Sequence, residues 1–377
     1  MTMPRSILML VALLLTAVSL QLAAQPVTDN RIRIGQSGPQ TGPLAELNGD
    51  YLSGITLYLN AVNAEGGVHG RRVELLTMDD AYDPVLAEQN VKNLIEREQV
   101  FALLGVFGTG SNSKTIPLAV QANVPYFAPY TGAVSLREPA HPNVFHLRAS
   151  YAHEVETIIR HLAQSNVTSI ALIHHADPFG EAGLQAAQQA LERLNRPPLV
   201  AVASVASSGD GMDEAVARIA EANPAAVIMV SAGKVSSMII RSLKARDQHP
   251  MLFGLSVVSS RELVAELGQA AHGVVLAQVT PSPFRIDHPV VRDYQRMAKS
   301  ERAEYSYAGL EGFIAAKVFT EALRRAGPEL TRSGLLSAFE ELGGWDVGGL
   351  KLNYSRSNHV GLEYVDLSVI SHGRFSH

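Results

Sequence analysis

The residues best placed to do chemistry lie in Leu103-Leu104-Gly105-Val106-Phe107-Gly108-Thr109-Gly110-Ser111-Asn112, where an apolar run breaks into glycines and hydroxyls. A helical pattern follows from Ser111 to Gln121. A strand that ends in a Gly-rich turn and opens a helix aims unpaired backbone N–H groups at one spot. Thr109 and Ser111 add hydroxyls there, and the glycines admit a ligand close to the backbone. Such a place suits a small anion such as a carboxylate. Pro125-Tyr126-Phe127-Ala128-Pro129-Tyr130-Thr131-Gly132-Ala133 repeats the design one strand later. The expected site is a binding cleft of strand ends carrying Thr109, Gly110, Ser111, Tyr130, Thr131 and Gly132, with no nucleophile or metal in it.

Other combinations that invite chemistry fail on spacing. His174 and His175 precede Asp177, but neighbours on a strand point to opposite faces and do not share one ion. Asp79, Asp80 and Asp83 crowd one turn without the spacing of a calcium loop, so capping the next helix is their simpler role. Gly108-Thr109-Gly110-Ser111-Asn112 is not a G-x-S-x-G elbow, and no P-loop or G-x-G-x-x-G follows a strand. The absence of cysteine excludes disulfides, thiolate metal sites and cysteine nucleophiles. No catalytic residue, metal or cofactor is therefore assigned.

The elements that must position these turns alternate along the chain. Strands are expected at Arg31–Ser37, Arg72–Met78, the Phe101 region, the Val124 region and Val144–Leu147, with helices at 49–64, from Pro84, and at 111–121. A second alternation runs through helix 152–164, strand 169–174, helix 180–194, strand 199–204, helix 212–221, strand 225–230, helix 235–245 and strand 251–255. Strand 273–279, helices 290–299, 307–325 and 331–342, and strands 349–353 and 362–370 complete it. Strands alternating with helices predict an α/β protein with parallel sheets, and there is pattern enough for two. Ligands in such sheets sit outside the carboxyl ends of the strands, where the turns singled out above fall.

Composition narrows the class. A chain of 377 residues suits two lobes better than one core, and 46% hydrophobic with 18% charged residues fits a compact protein. A net charge of −5 gives no reason to expect nucleic acid. Arg5 followed by the unbroken apolar run Ile7–Leu15 reads as a secretory signal over residues 1–24, cut after Ala24, in preference to a retained anchor. Export to the periplasm follows.

Asn63-Ala64-Glu65-Gly66-Gly67-Val68-His69-Gly70, followed by Met78-Asp79-Asp80-Ala81-Tyr82-Asp83-Pro84, resembles the leucine/isoleucine/valine-binding-protein family. The Gly105–Ser111 turn, Pro129-Tyr130-Thr131-Gly132-Ala133, Asp177-Pro178-Phe179-Gly180 and Gln278-Val279-Thr280-Pro281 carry the resemblance from Arg31 to the C-terminus. It implies a type I periplasmic binding fold: two doubly wound parallel-sheet lobes joined by a three-crossover hinge. By position the lobes would be 28–147 plus 279–353 and 148–278 plus 354–377. It further implies a monomer that captures a ligand between closing lobes and delivers it to an ABC permease/ATPase complex in the inner membrane. A secreted co-receptor for a sensor is the alternative, and a secreted hydrolase a remote one.

In that family the first lobe's hydroxyls and N–H groups hold the ligand carboxylate, which falls here to Thr109, Ser111 and the backbone around Tyr130 to Ala133. The second lobe's aromatic corresponds to Phe179, and Tyr307 begins a helix that could reach the cleft. Amino-acid binders of the family carry an acid after the strand matching 251–255, where this chain has Ser256, and a tyrosine after strand 225–230 gives way to Ala232-Gly233-Lys234. An ammonium buried without its carboxylate is costly. The expected ligand is therefore a small organic or aromatic carboxylate rather than the family's default amino acid.

Overall fold

A computed structural model describes residues 26–258, 260–372 and 374–376; the secretory signal expected over residues 1–24 lies outside the described residues. Two sheets organise the chain. The first contains β1 (Arg31–Gly38), β2 (Arg72–Asp79), β3 (Ala102–Leu104), β4 (Tyr126–Phe127) and β5 (Val144–Phe145), in the order β2-β1-β3-β4-β5 with every pairing parallel. The second contains β6 (Ile170–His175), β7 (Ala201–Val205), β8 (Ala226–Val230), β9 (Met251–Gly254), β10 (Val275–Gln278), β11 (Asp366–Ser371) and β12 (Arg374–Ser376). Its order is β12-β11-β10-β9-β8-β6-β7, antiparallel only at β10–β11 and β11–β12. The central strands are buried along their length, as sheets covered on both faces require.

The first lobe's helices are α1 (Ala45–Ala64), α2 (Pro84–Glu96) and α3 (Thr109–Gln121). The second lobe's are α4 (Tyr151–Gln164), α5 (Pro178–Arg193), α6 (Met212–Glu221), α7 (Lys234–Ala245) and α8 (Ser260–Leu267). After β10 the chain returns to the first sheet with α9 (Pro289–Glu301), α10 (Tyr307–Arg325) and α11 (Arg332–Glu340). Phe339 of α11 stacks on Phe127 at 4.5 Å between ring centroids. Helices α1 and α10 cross so closely that a methyl group on Gly312 would lie 2.0 Å from the Tyr51 carbonyl oxygen. Glycine there is a packing requirement, and the crossing anchors the first lobe's core.

Most expected elements are present within a residue or two, and the corrections have local causes. The strand expected at 349–353 does not form; only an isolated bridge joins Asp346 and Lys351, because Asp346 accepts from Gly348 and Gly349 N–H and curls the backbone into a turn. The strand expected from 362 starts at Asp366. Helix α5 starts at Pro178, two residues before the expected start, because Asp177 is its N-cap and accepts from the Gly180 N–H at 2.9 Å. Helix α8 was not expected at all. Among the described residues no helix is long and apolar enough to cross a membrane.

Candidate functional site

In each sheet the strand order reverses once in mid-sheet: between β1 and β3 in the first, between β6 and β8 in the second. The loops leaving those strands diverge to opposite faces and open a crevice at their carboxyl ends. The two crevices face each other across a narrow gap with room for about 10 Å³. The first lobe supplies Leu44, Leu47, Tyr82, Phe107, Gly108, Thr109 and Tyr130 to its walls. Tyr151, Phe179, Ala232 and Val257 close it from the second lobe's elements. These walls are aromatic and aliphatic, and no acidic side chain lines them among the described residues.

The polar end of the cavity is the start of α3. Gly108 occupies the N-cap with φ 91° and supplies no side chain, so nothing on the cap residue itself covers the first N–H groups of the helix. The first of them paired within the turn is that of Asn112, to the Gly108 carbonyl at 3.0 Å. A side chain at 108 would be strained by its φ and would meet the Tyr82 ring 2.8 Å away. The Thr109 hydroxyl lies 2.8 Å from that of Thr131, which also accepts from the Ala133 N–H. Phe107 stacks on Tyr130 at 4.6 Å.

Of the residues expected from sequence, Thr109, Tyr130 and Phe179 line the cavity. Thr131 shapes it from behind, and its carbonyl accepts from Arg137 Nη2 at 3.1 Å. Gly132 is pressed against Tyr151, whose N–H donates to the Gly132 carbonyl at 2.8 Å. Ser111 is buried within α3, and Gly110 sits between Pro84 and Pro178 where the lobes meet. Tyr307 is not among the lining residues; it packs on Phe284 and Phe375 near the hinge. Lys234 is exposed at the start of α7 and does not line the cavity.

Ser256 lies behind the wall rather than on it. Its N–H donates to Glu154 Oε2 at 2.7 Å, and its hydroxyl donates to Glu154 Oε1 at 3.0 Å. Arg148 Nη2 in turn donates to the Ser256 hydroxyl and lies 3.7 Å from Glu154 Oε1. Arg148 Nε is 3.5 Å from Glu311 Oε1, and the guanidinium lies 4.7 Å from the centre of the Tyr130 ring. Arg148 and Glu154 are 1% and 0% exposed. Burial pushes the Glu154 carboxyl up to about 7, against the pull of Arg148 and the Ser256 bonds. For Arg148 the same burial works against the charge, but Glu311, Tyr130 and Glu154 outweigh it and raise its pKa.

Contacts across the crevice hold the lobes together. The Tyr82 hydroxyl reaches Asp177 Oδ2 at 3.4 Å, and Asp177 also faces His175 Nδ1 at 3.6 Å. Burial opposes ionisation of Asp177, yet His175 and the α5 N–H bonds outweigh it and hold the carboxyl below its ordinary value. Gly233 approaches the Pro43 carbonyl across the same gap.

Sequence reasoning missed Leu44, Leu47, Tyr151, Ala232 and Val257 as wall residues. Each follows the end of a β-strand or opens the next helix, the rule that located Thr109. Tyr82 was read only as part of an acidic turn. Glu154 had its own signal: it shares a stripe with Ile158 and Leu162 on α4, an acid where the buried face calls for an apolar side chain.

Residues 31–371 match the sequence profile of a family described as periplasmic binding protein. The chain belongs to that family. It is of the Leu/Ile/Val-binding type. Leu/Ile/Val-binding protein homolog 7 of Brucella abortus (strain 2308) is 23% identical over 329 residues, 82% of this chain and 81% of that one. The crystal structure of a possible leucine/isoleucine/valine-binding protein from Rhodopirellula baltica SH 1 superposes with a TM-score of 0.88 at 27% identity, over 94% of this chain and 97% of the other. A branched chain amino acid ABC transporter structure from Thermus thermophilus, with bound valine, gives 0.83 at 22% identity over 92% and 95%. These relatives are solute-binding proteins, and the family implies a periplasmic location.

Proposed function

We propose that this periplasmic binding protein captures a small amine-free carboxylic acid, organic or aromatic, and delivers it to an ABC permease/ATPase complex, acting as a monomer after its signal is cleaved near Ala24. The carrying observation is the cavity: apolar and aromatic walls, the open start of α3 with the Thr109 hydroxyl at one end, and no acid lining it among the described residues. The carboxylate would rest on the α3 N–H groups and Thr109, with the body of the ligand against Tyr130, Phe107 and Phe179. Binding would favour the closed arrangement through the Tyr82–Asp177 contact.

Thermal unfolding of the mature, ligand-stripped protein tests this against paired probes: 4-methylpentanoate with leucine, and 3-phenylpropanoate with phenylalanine. A bound probe at 100 times its Kd adds roughly 2.7 kcal/mol of stability. Stabilisation by the acids and not by their amino counterparts is the expected result. Stabilisation by leucine at micromolar concentrations would overturn the ligand class while leaving the binding role.

A further inference from the structure

An ammonium-bearing ligand needs a carboxylate that is free to receive it, and the carboxylates set behind the walls of this cavity, Asp80, Asp177, Glu154 and Glu311, each have partners already, Glu311 having Arg148 Nε at 3.5 Å. Asp80 accepts from the Ser37 hydroxyl at 2.8 Å and the Tyr82 N–H at 2.9 Å. Asp177 is held by Gly180, Tyr82 and His175. Glu154 is the one set directly behind the wall: Tyr151, one turn before it on α4, lines the cavity, and so does Val257, next to its partner Ser256. Both its oxygens are taken by Ser256, and Arg148 supplies the opposing charge. The guanidinium lies against Tyr130 and Tyr151, two wall residues, at 4.7 and 6.0 Å from their ring centres.

We propose that Arg148 is a tethered substitute for a ligand's ammonium: it occupies Glu154 beside the cavity wall, so the cleft accepts acids and rejects their amine-bearing counterparts. Charge supports this. Arg148 and Arg137 face Glu154 and Glu311 in one buried cluster, two cations against two anions. A ligand ammonium would arrive as a third cation with no anion left for it, and in a site shielded from water that repulsion is not screened.

The inference rests on the amine-free ligand proposed above, so the experiment has one arm that needs no ligand. In Arg148→Ala, methylammonium chloride should raise Tm by several degrees beyond sodium chloride of equal ionic strength, measured at about pH 9, because loss of Arg148 removes a charge that lowers the Glu154 carboxyl and so raises it further. Wild type and Arg148→Ala/Glu154→Gln should not respond. Equal response of the single and double variants overturns the proposal. In the second arm, titration calorimetry compares 3-phenylpropanoate with phenylalanine. Arg148→Met should shift preference toward phenylalanine by about tenfold or more. No shift in a wild-type background that binds only the acid overturns the inference alone, whereas wild type binding both probes equally overturns the ligand class as well. If neither probe binds wild type, the methylammonium arm decides. Should the alanine and methionine variants fail to fold, Arg148→Lys keeps a cation on Glu154 and must retain rejection of the amine; gained phenylalanine binding there overturns the proposal.

Discussion

Two arginines bridge the junction between the sheets, and each faces several carboxylates. Arg261 of α8 lies at the rim, with Nη2 2.7 Å from Asp50 and Nε 3.3 Å from Glu46 on α1, and a further contact to Glu304. Arg148 lies inside, against Glu154 and Glu311. The rim arginine has the shorter separations yet is 38% exposed, with Glu304 at 74%, whereas the inner pair is closed to water. Coulombic attraction at equal distance is several-fold weaker in high dielectric, and salt screens it further. Distance therefore ranks these clusters wrongly, and burial ranks them correctly. The inner cluster has been desolvated and each member depends on the others; the rim cluster trades protein partners for water at little cost.

The comparison predicts its largest effect at Glu154. Glu154→Ala removes one anion and leaves Arg148 and the Ser256 donors buried without it, which should cost about 3–5 kcal/mol. Urea unfolding reads this as a lower midpoint at unchanged slope. A loss below about 1 kcal/mol would put the inner cluster in the same class as surface pairs and break the comparison.

Protonation gives the next effect. Glu154 titrates at about 7 when folded, against the ordinary 4.5, because burial disfavours its charge. The folded chain thus holds this proton more tightly than the unfolded one, so stability declines as pH rises from about 4.5 through about 7. Asp80, pushed by burial from 3.8 to about 6, adds a decline of the same sign over a lower window. Its neighbour Asp79 is bonded by Thr41, Gln40 and Ala81 and held at about 2, so its contribution runs the other way: present above 3.8, lost as pH falls toward 2. Urea midpoints taken between pH 5 and 7.5 should fall in wild type, and Glu154→Gln should flatten most of that fall. An unchanged slope in Glu154→Gln would assign the titration elsewhere.

The same contrast explains what was legible in the sequence. Both sheets, nearly every helix and the strand-end turns that line the crevice follow from periodicity and turn residues, because those are local signals. Thr109, Tyr130 and Phe179 came with them. Residues that meet across the crevice were not visible: Leu44 and Leu47 precede the helix expected at 49–64, and Val257 follows the strand expected at 251–255. Ser256 stands where the resemblance leads one to expect an acid. In space it meets Glu154, from a stretch 102 residues away, and one sequence carries no signal for that pairing. Tyr307 packs on Phe284 and Phe375 instead of lining the cavity, and helix phase does not say which neighbour a first-turn residue meets.

Tyr82 lies between the two clusters in exposure and should lie between them in effect. Its hydroxyl crosses the crevice to Asp177 at 3.4 Å, a long bond to a carboxylate that already has His175. Tyr82→Phe keeps the ring against Gly108 and removes only this bond, at about 0.5–1.5 kcal/mol. Because the bond exists only when the lobes meet, the loss should appear as roughly three- to tenfold weaker binding of 3-phenylpropanoate, mostly through faster release. Global stability of the ligand-free protein should be unchanged; if it falls equally, the bond belongs to the fold rather than to closure.

The smallest effect belongs to Arg261, and it sharpens the comparison by its salt dependence rather than its size. Burial works against the charge on Arg261, but Asp50, Glu304 and Glu46 together outweigh it and raise its pKa, so it stays a cation throughout. Arg261→Ala should cost no more than about 1 kcal/mol, discounted for exposure, and the loss should vanish in high salt as screening removes what the arginine contributed. Glu154→Ala should be nearly indifferent to the same salt, since counterions do not reach a buried pair. Measuring both variants in low and high sodium chloride turns the difference in burial into a difference in slope. If the rim variant keeps its full deficit at high salt, Arg261 is acting through the packing of its stem on α1 and not through its charge.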